Sequence, residues 1–176
     1  LQKDVSDKLD YSEDSYFKVI GKKTAALMEV STELGAISAG ANSEMISRLK
    51  TFGFYMGLAF QVRDDILDFS PEYKTGKPFG NDIKEKKITL PLIYLLNDLS
   101  IKERDTILHF IKQDEKKDKD ILSLIKKVSD GGYLEKAEEK VLDFCRLAEI
   151  QLGGFKESES KKSLIELLYS LAKRKS

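Results

Sequence analysis

Proline is confined to one short window of this chain. Pro71, Pro78 and Pro91 are its three prolines, and the long stretches on either side hold none. Proline breaks a helix interior by removing a backbone donor and clashing with the preceding turn. Alternating β-branched runs are scarce, so strands find little support. The apolar residues instead recur at helical spacing on both sides of the window, and the expected class is all-α.

Ser12-Glu13-Asp14-Ser15 is rich in N-cap residues and opens a predicted helix that runs to about Gly40. Tyr16, Phe17, Ile20, Thr24, Leu27, Met28, Ser31 and Leu34 follow at helical intervals. Gly21 is expected to mark an irregularity or a close approach. A second helix is predicted from about Ser43 to Phe69, with Gly53, Gly57 and Ala59 inviting close packing. Both helices are apolar over much of their circumference and are expected to be central. Residues 70–88 hold two prolines, two glycines and several turn formers. They read as a loop, long enough to be functional rather than a simple connector. Helix resumes near Leu90-Pro91, with proline in the first turn. Shorter amphipathic helices are predicted near 101–113, 118–129, 133–152 and 160–174. Gly131-Gly132 and Gly153-Gly154 act as stops. Lys112 to Asp120 reads as a solvated turn, and Lys173-Arg174-Lys175 complements the dipole of the last helix.

Several function classes are disfavoured by bulk properties. Lys+Arg and Asp+Glu balance at 30 each, which argues against a general nucleic-acid footprint. Mean hydropathy is -0.36, and no apolar run reaches the roughly 18 residues that mark a membrane span. The single cysteine, Cys145, cannot form an internal disulfide and suits a reducing cytosol, so a cytoplasmic location is expected. It reads as a small core residue on a helix. At 176 residues the chain has the length of one domain. It opens Leu-Gln-Lys-Asp-Val, without methionine or a capping residue, as though in mid-helix, and is expected to be a piece of something longer.

The chemistry concentrates in Phe60-Gln61-Val62-Arg63-Asp64-Asp65-Ile66-Leu67-Asp68-Phe69. On a helix Asp64 and Asp68 are stacked neighbours, Asp65 lies beside them, and Gln61 points the same way one turn earlier. Like charges at i,i+4 cost a helix a few tenths of a kcal/mol. A solvent-facing stripe would tolerate that, yet Phe60, Val62, Ile66, Leu67 and Phe69 flank the acids, and the preceding helix is almost uncharged back to Lys50. Clustered carboxylates with room for water and phosphate oxygens suit Mg²⁺. Lys77, Lys86 and Lys87 follow in the loop, either as ordinary basic residues or as counter-charges for phosphate. Lys22-Lys23-Thr24 interrupts an apolar helix and reads as surface unless that helix faces the acids. His109 lacks an acid or cysteine at ligand spacing and reads as structural or exposed. Neither a P-loop nor a dinucleotide glycine motif is present.

Taken together, these segments resemble the trans-type polyprenyl diphosphate synthases. Phe60-Gln61 through Asp68 is similar to that family's second aspartate-rich motif, FQ-x-x-DD-x-x-D. Gly76-Lys77-Pro78-Phe79-Gly80-Asn81-Asp82-Ile83 resembles its GKP-x-G-x-D-[LI]. Lys87-Ile88-Thr89-Leu90-Pro91 resembles K-x-TLP, and Lys23-Thr24-Ala25 with Glu33-Leu34-Gly35-Ala36 resembles the KTA…LGA helix. The match is strong over residues 12–97 and weaker beyond. Lys86 stands where the family usually has glycine. The family's first aspartate-rich motif does not occur in these residues, so the chain looks like the C-terminal half of a synthase.

The resemblance implies an isoprenoid-synthase-type bundle of antiparallel helices around a central cavity. It implies condensation of isopentenyl diphosphate with an allylic diphosphate. Asp64, Asp65 and Asp68 would hold Mg²⁺ directly or through water. Lys23 and Lys77 would meet the allylic diphosphate, with Lys87 a weaker third, while Gln61 and Thr24 would line the reacting end. The acids and Lys23 form the implied catalytic set, and the full-length enzyme is expected to be a homodimer. The chain alone is expected to be inactive. The alternatives are a non-catalytic subunit of a hetero-oligomeric synthase and a helical interaction module.

Overall fold

The protein is described by a computed structural model covering residues 11–69 and 79–174. Every regular element among them is helical. The opening residues, read above as mid-helix, and most of the Pro71–Pro78 loop lie outside the described residues. No helix among the described residues is long and apolar enough to cross a membrane.

Helix α1 (Glu13–Ile20) begins where the sequence places its cap: Ser12 Oγ accepts from the Ser15 backbone N–H at 3.2 Å. The long helix expected from here continues through an irregularity at Gly21, where one was expected. Residues Gly21–Ala25 form a π-helical turn, and α2 (Ala26–Ser38) continues from it. Helix α3 (Ser43–Leu67) follows. A Cβ on Gly57 of α3 would fall 2.5 Å from Ala25 Cα, closer than any side chain can sit. Glycine therefore lets the α3 backbone press against the π turn. The close approach expected of the small residues is real.

The chain resolves into two compact units, and the boundary falls inside α3, between Arg63 and Asp64. One unit comprises Phe17–Arg63 and Glu138–Arg174. It contains the π turn, α2, most of α3, most of α8 (Tyr133–Leu152) and α9 (Glu159–Lys173). Phe17 meets Phe144 edge-on at 5.1 Å between ring centroids, and Tyr55 stacks on Phe144 at 6.2 Å. Cys145 is buried here as expected, and burial pushes its thiol up to about 11, so it stays an unreactive core group. Helix α3 is central, with Phe52, Leu58, Ala59 and Val62 buried. Helix α2 is not. Leu27, Val30, Leu34 and Ile37 form one apolar stripe along it, and each is exposed, Leu27 by 73%. The expectation that both helices are central is corrected for α2, because nothing in this unit covers that side.

The other unit comprises the residues through Tyr16 and Asp64–Ala137. Its core joins Phe69, Ile83, Leu92, Leu95, Ile111, Ile121, Leu124, Ile125 and Val128. These come from the end of α3, the single-turn α4 (Asn81–Lys84), α5 (Leu90–Asp98), α6 (Ile101–Lys112) and α7 (Asp118–Asp130). Pro91 lies in the first turn of α5. Helix α6 starts at Ser100 with a full capping box to Glu103, and Gly131 and Gly132 end α7. His109 is exposed.

The end of α4 gives a backbone reason for the glycine that the resemblance leads one to expect where Lys86 stands. The Lys87 N–H bonds to Asp82 O at 2.8 Å and the Lys86 N–H to Ile83 O at 3.1 Å, the pattern of a Schellman cap whose penultimate residue is left-handed. Lys86 has φ 62, the one positive φ at a non-glycine residue among those described. An L side chain there costs about 1–2 kcal/mol. Its ion pair with Asp114 returns little, since Asp114 is 94% exposed. Lys86→Gly should therefore raise stability by about 0.5–1 kcal/mol after allowing for the flexibility of unfolded glycine. Urea unfolding checks this, and a lowered midpoint would contradict it.

Candidate functional site

The acids at the end of α3 are held in three different ways. Asp64 lies in the last turns of the helix and is half-buried. Asp65 is buried at 5% exposure, and its Oδ2 accepts a hydrogen bond from the Tyr16 hydroxyl at 2.6 Å. Burial first, and the Asp65 charge second, hold the Tyr16 hydroxyl well above its usual pKa, so it remains a donor. Asp68 lies one residue beyond the helical end at Leu67, in a turn. Its Oδ1 accepts the backbone N–H of Asn81 and its Oδ2 that of Asp82, both at 2.9 Å. It thus closes the N-terminus of α4, whose start is turned by Gly80 at φ 64.

This placement makes the charge on Asp68 costly. Burial raises its pKa most, the two backbone donors pull it down, and repulsion from Asp82 raises it again. Lys87 offers partial relief. Its ammonium sits 2.6 Å from Glu85 and 3.2 Å from Asp82, and the Glu85 bond is the largest cause of its raised pKa. Arg63, embedded in the acidic stretch, serves other groups: its Nε donates to Arg174 O at 2.7 Å and its Nη1 to Glu138 at 2.8 Å.

Elsewhere on the chain, Thr24 and Gln61 are brought together. The Thr24 hydroxyl donates to Gln61 Oε1 at 2.6 Å, tying the π turn to α3. Lys23 is exposed on the same turn. Lys77 lies outside the described residues. Two residues near the acids were not singled out from sequence as site residues. Tyr16 reads there as one more apolar position of an amphipathic helix. Asp82 was visible inside the Gly80-Asn81-Asp82 segment but looked like part of a turn.

The described residues contain no group of three or more side chains already gathered as metal ligands. A closed all-protein cage is therefore not what these acids build. Mg²⁺ does not need one, because it commonly keeps several waters and takes one or two carboxylates plus substrate phosphates. Each Asp68 oxygen accepts one of the two bonds it can take. Costly carboxylate charge with acceptor capacity left over fits an open, hydrated divalent-cation site.

The polyprenyl synthetase profile matches residues 1–128. The chain belongs to the polyprenyl synthetase family. It is 36% identical over 160 residues to a short chain isoprenyl diphosphate synthase of Methanothermobacter thermautotrophicus, covering 90% of this chain and 48% of that protein. Over 89 residues it is 45% identical to heptaprenyl diphosphate synthase component 2 of Geobacillus stearothermophilus, covering 50% of this chain and 28% of that protein. Its fold is similar to that of a Caulobacter crescentus polyprenyl synthase crystallised with calcium and isoprenyl diphosphate. The TM-score is 0.87 at 30% identity, covering 94% of this chain and 51% of that one. The chain spans about half the length of the curated relatives it matches over most of its length. The all-α isoprenoid-synthase fold expected from the sequence is the fold observed.

If Asp68 caps α4, Asp68→Ala should release that turn. Hydrogen bonds to a charged acceptor contribute about 1.5–3 kcal/mol each. Amide exchange at Asn81 and Asp82 should accelerate at least about tenfold. Unchanged exchange there would contradict the cap.

Proposed function

We propose that this chain forms the second aspartate-rich half of a trans-polyprenyl diphosphate synthase. Such an enzyme joins isopentenyl diphosphate to an allylic diphosphate head to tail. The allylic C–O bond breaks and pyrophosphate leaves with the bonding electrons. The isopentenyl double bond then attacks the allylic cation to form the new C–C bond, and loss of a proton restores a double bond. Charge stabilisation is the catalytic task, and no protein nucleophile is required. The observation that carries this reading is the acidic end of α3, organised by Tyr16 and by the α4 backbone, in a chain of this family.

Asp64, Asp65 and Asp68 hold Mg²⁺, directly or through water. When bound, the metal acts as a Lewis acid on the diphosphate oxygens. Lys23, Lys77 and Lys87 supply positive charge to diphosphate. Thr24 and Gln61 line the reacting end, and their mutual hydrogen bond keeps both oxygens in place. A reducing, cytoplasmic setting suits Cys145, and a homodimer suits the resemblance of the complete enzyme.

The exposed stripe of α2 supports a second element of the proposal. Leu27, Val30, Leu34 and Ile37 follow one another at intervals of three and four residues, the spacing of a helix seam. An apolar strip of this length is costly in water. A helical segment carrying the first aspartate-rich motif covers it, in the same polypeptide or in a partner. The partner version is the alternative reading, a subunit of a hetero-oligomeric synthase. The similarity to a protein named as a component favours keeping it.

Prenyl transfer from radiolabelled isopentenyl diphosphate tests both elements. These residues alone should give essentially none. Adding a polypeptide with the first motif should restore it, and robust turnover by the chain alone would overturn the half-site reading. In the complete protein Asp64→Ala should lower turnover by about 10²–10³-fold while far-UV circular dichroism is unchanged. Near-normal kinetics would remove the metal assignment.

A further inference from the structure

Tyr16 and Asp65 are 49 positions apart in sequence, and both are nearly fully buried, at 6% and 5% exposure. A phenylalanine would fill the same apolar space. The hydroxyl is therefore explained by what it donates to, and it donates to a carboxylate at 2.6 Å, the length of a charge-assisted bond. Burying either group without a partner would cost several kcal/mol.

The helix that carries the hydroxyl is itself anchored. Glu13 lies one turn before Tyr16 on α1, on the same face. Glu13 Oε1 accepts from the Tyr94 hydroxyl of α5 at 3.0 Å, and the Lys136 ammonium sits 4.4 Å above the Tyr94 ring. Ser12 caps the same turn. Helix α1 is thus anchored at its first turn by α5, and it delivers one hydroxyl to one carboxylate at the end of α3.

We propose that Tyr16 is the positioning residue for Asp65, fixing the direction in which that carboxylate faces the metal-bound diphosphate. This rests on the reading of Asp64, Asp65 and Asp68 as the metal-holding set. Tyr16 touches neither substrate nor metal. It acts through Asp65, as an outer hydrogen-bond partner acts on a ligand, and removing such a partner typically weakens metal binding or activity about 10–100-fold.

The test is a double-mutant cycle in the complete protein, read by Mn²⁺ paramagnetic resonance titration in the presence of inorganic diphosphate and by steady-state kinetics. Tyr16→Phe should weaken Mn²⁺ binding about 10–100-fold. It should raise the Mg²⁺ needed for half-maximal turnover in step, and leave KM for isopentenyl diphosphate within about twofold. On an Asp65→Asn background the same substitution should add almost nothing, because the group it acts through is already changed. Unaltered Mn²⁺ binding in Tyr16→Phe, with only a lower melting temperature, would overturn the proposal and leave Tyr16 a core residue. An equal additional loss on the Asp65→Asn background would also overturn it. Asp64→Ala separates the two levels. If it too leaves Mn²⁺ binding unchanged, the reading of the acids has failed. If it weakens binding while Tyr16→Phe does not, only the role of Tyr16 has failed. Should Tyr16→Phe misfold, Tyr94→Phe, which removes the hydroxyl that binds Glu13 of α1, should give a weaker loss of the same kind, and its absence would count against the proposal.

Discussion

A carboxylate cannot leave water without a partner, and α3 ends by burying one. The organisation of this end of the molecule follows from that constraint. Asp65 is satisfied by the Tyr16 hydroxyl, so α1 is committed to the end of α3. Asp68, one residue past the helix, is satisfied by two backbone donors, so α4 begins where it does. The charge of Asp82 is met in turn by Lys87, and the left-handed turn at Lys86 carries the chain from α4 toward α5. Each solution fixes the next stretch of chain. The core of Phe69, Ile83, Leu92 and their neighbours packs around the result.

The same constraint connects packing to chemistry. A carboxylate whose charge is made costly by burial and by a neighbouring acid gains more from an arriving cation than one on an open surface. Tyr16 and the α4 backbone restrict the side chains of Asp65 and Asp68, freedom that the proposed cation site would otherwise lose on binding. Such preorganisation is where electrostatic catalysis gains its advantage over water. Within the other unit, Gly57 lets α3 press against the π turn, and the Thr24–Gln61 hydrogen bond ties the same two elements. The stripe of Leu27, Val30, Leu34 and Ile37 on α2 is exposed apolar surface, and burying it would be favourable.

Much of this was legible in the sequence, for local reasons. Helix ends were readable wherever a cap or a stop is written into the chain: Ser12, Pro91 and the paired glycines all stand within a residue or two of observed boundaries. The acids stood out because charge in an apolar helix has few explanations, and Lys22-Lys23-Thr24 read from spacing as surface, where Lys23 is exposed. What was not readable depends on contacts distant in sequence. The close contact of Gly57 with Ala25 joins residues far apart in sequence, and so does the bond to buried Asp65 from Tyr16, which alone looks like any core aromatic. Asp68 was assigned to the helix because periodicity does not reveal that α3 stops at Leu67. Helix α2 was placed in a core because an apolar face states that it must be covered and not by what.

The most direct test of the central claim is a crystal structure of the complete protein with Mn²⁺ and inorganic diphosphate, read by anomalous scattering. An anomalous peak is expected beside Asp64, Asp65 and Asp68, with diphosphate oxygens and waters completing the shell and the Tyr16–Asp65 hydrogen bond intact. Ordered metal and diphosphate bound away from these three acids, with Asp68 still engaged only by the α4 backbone, would contradict it.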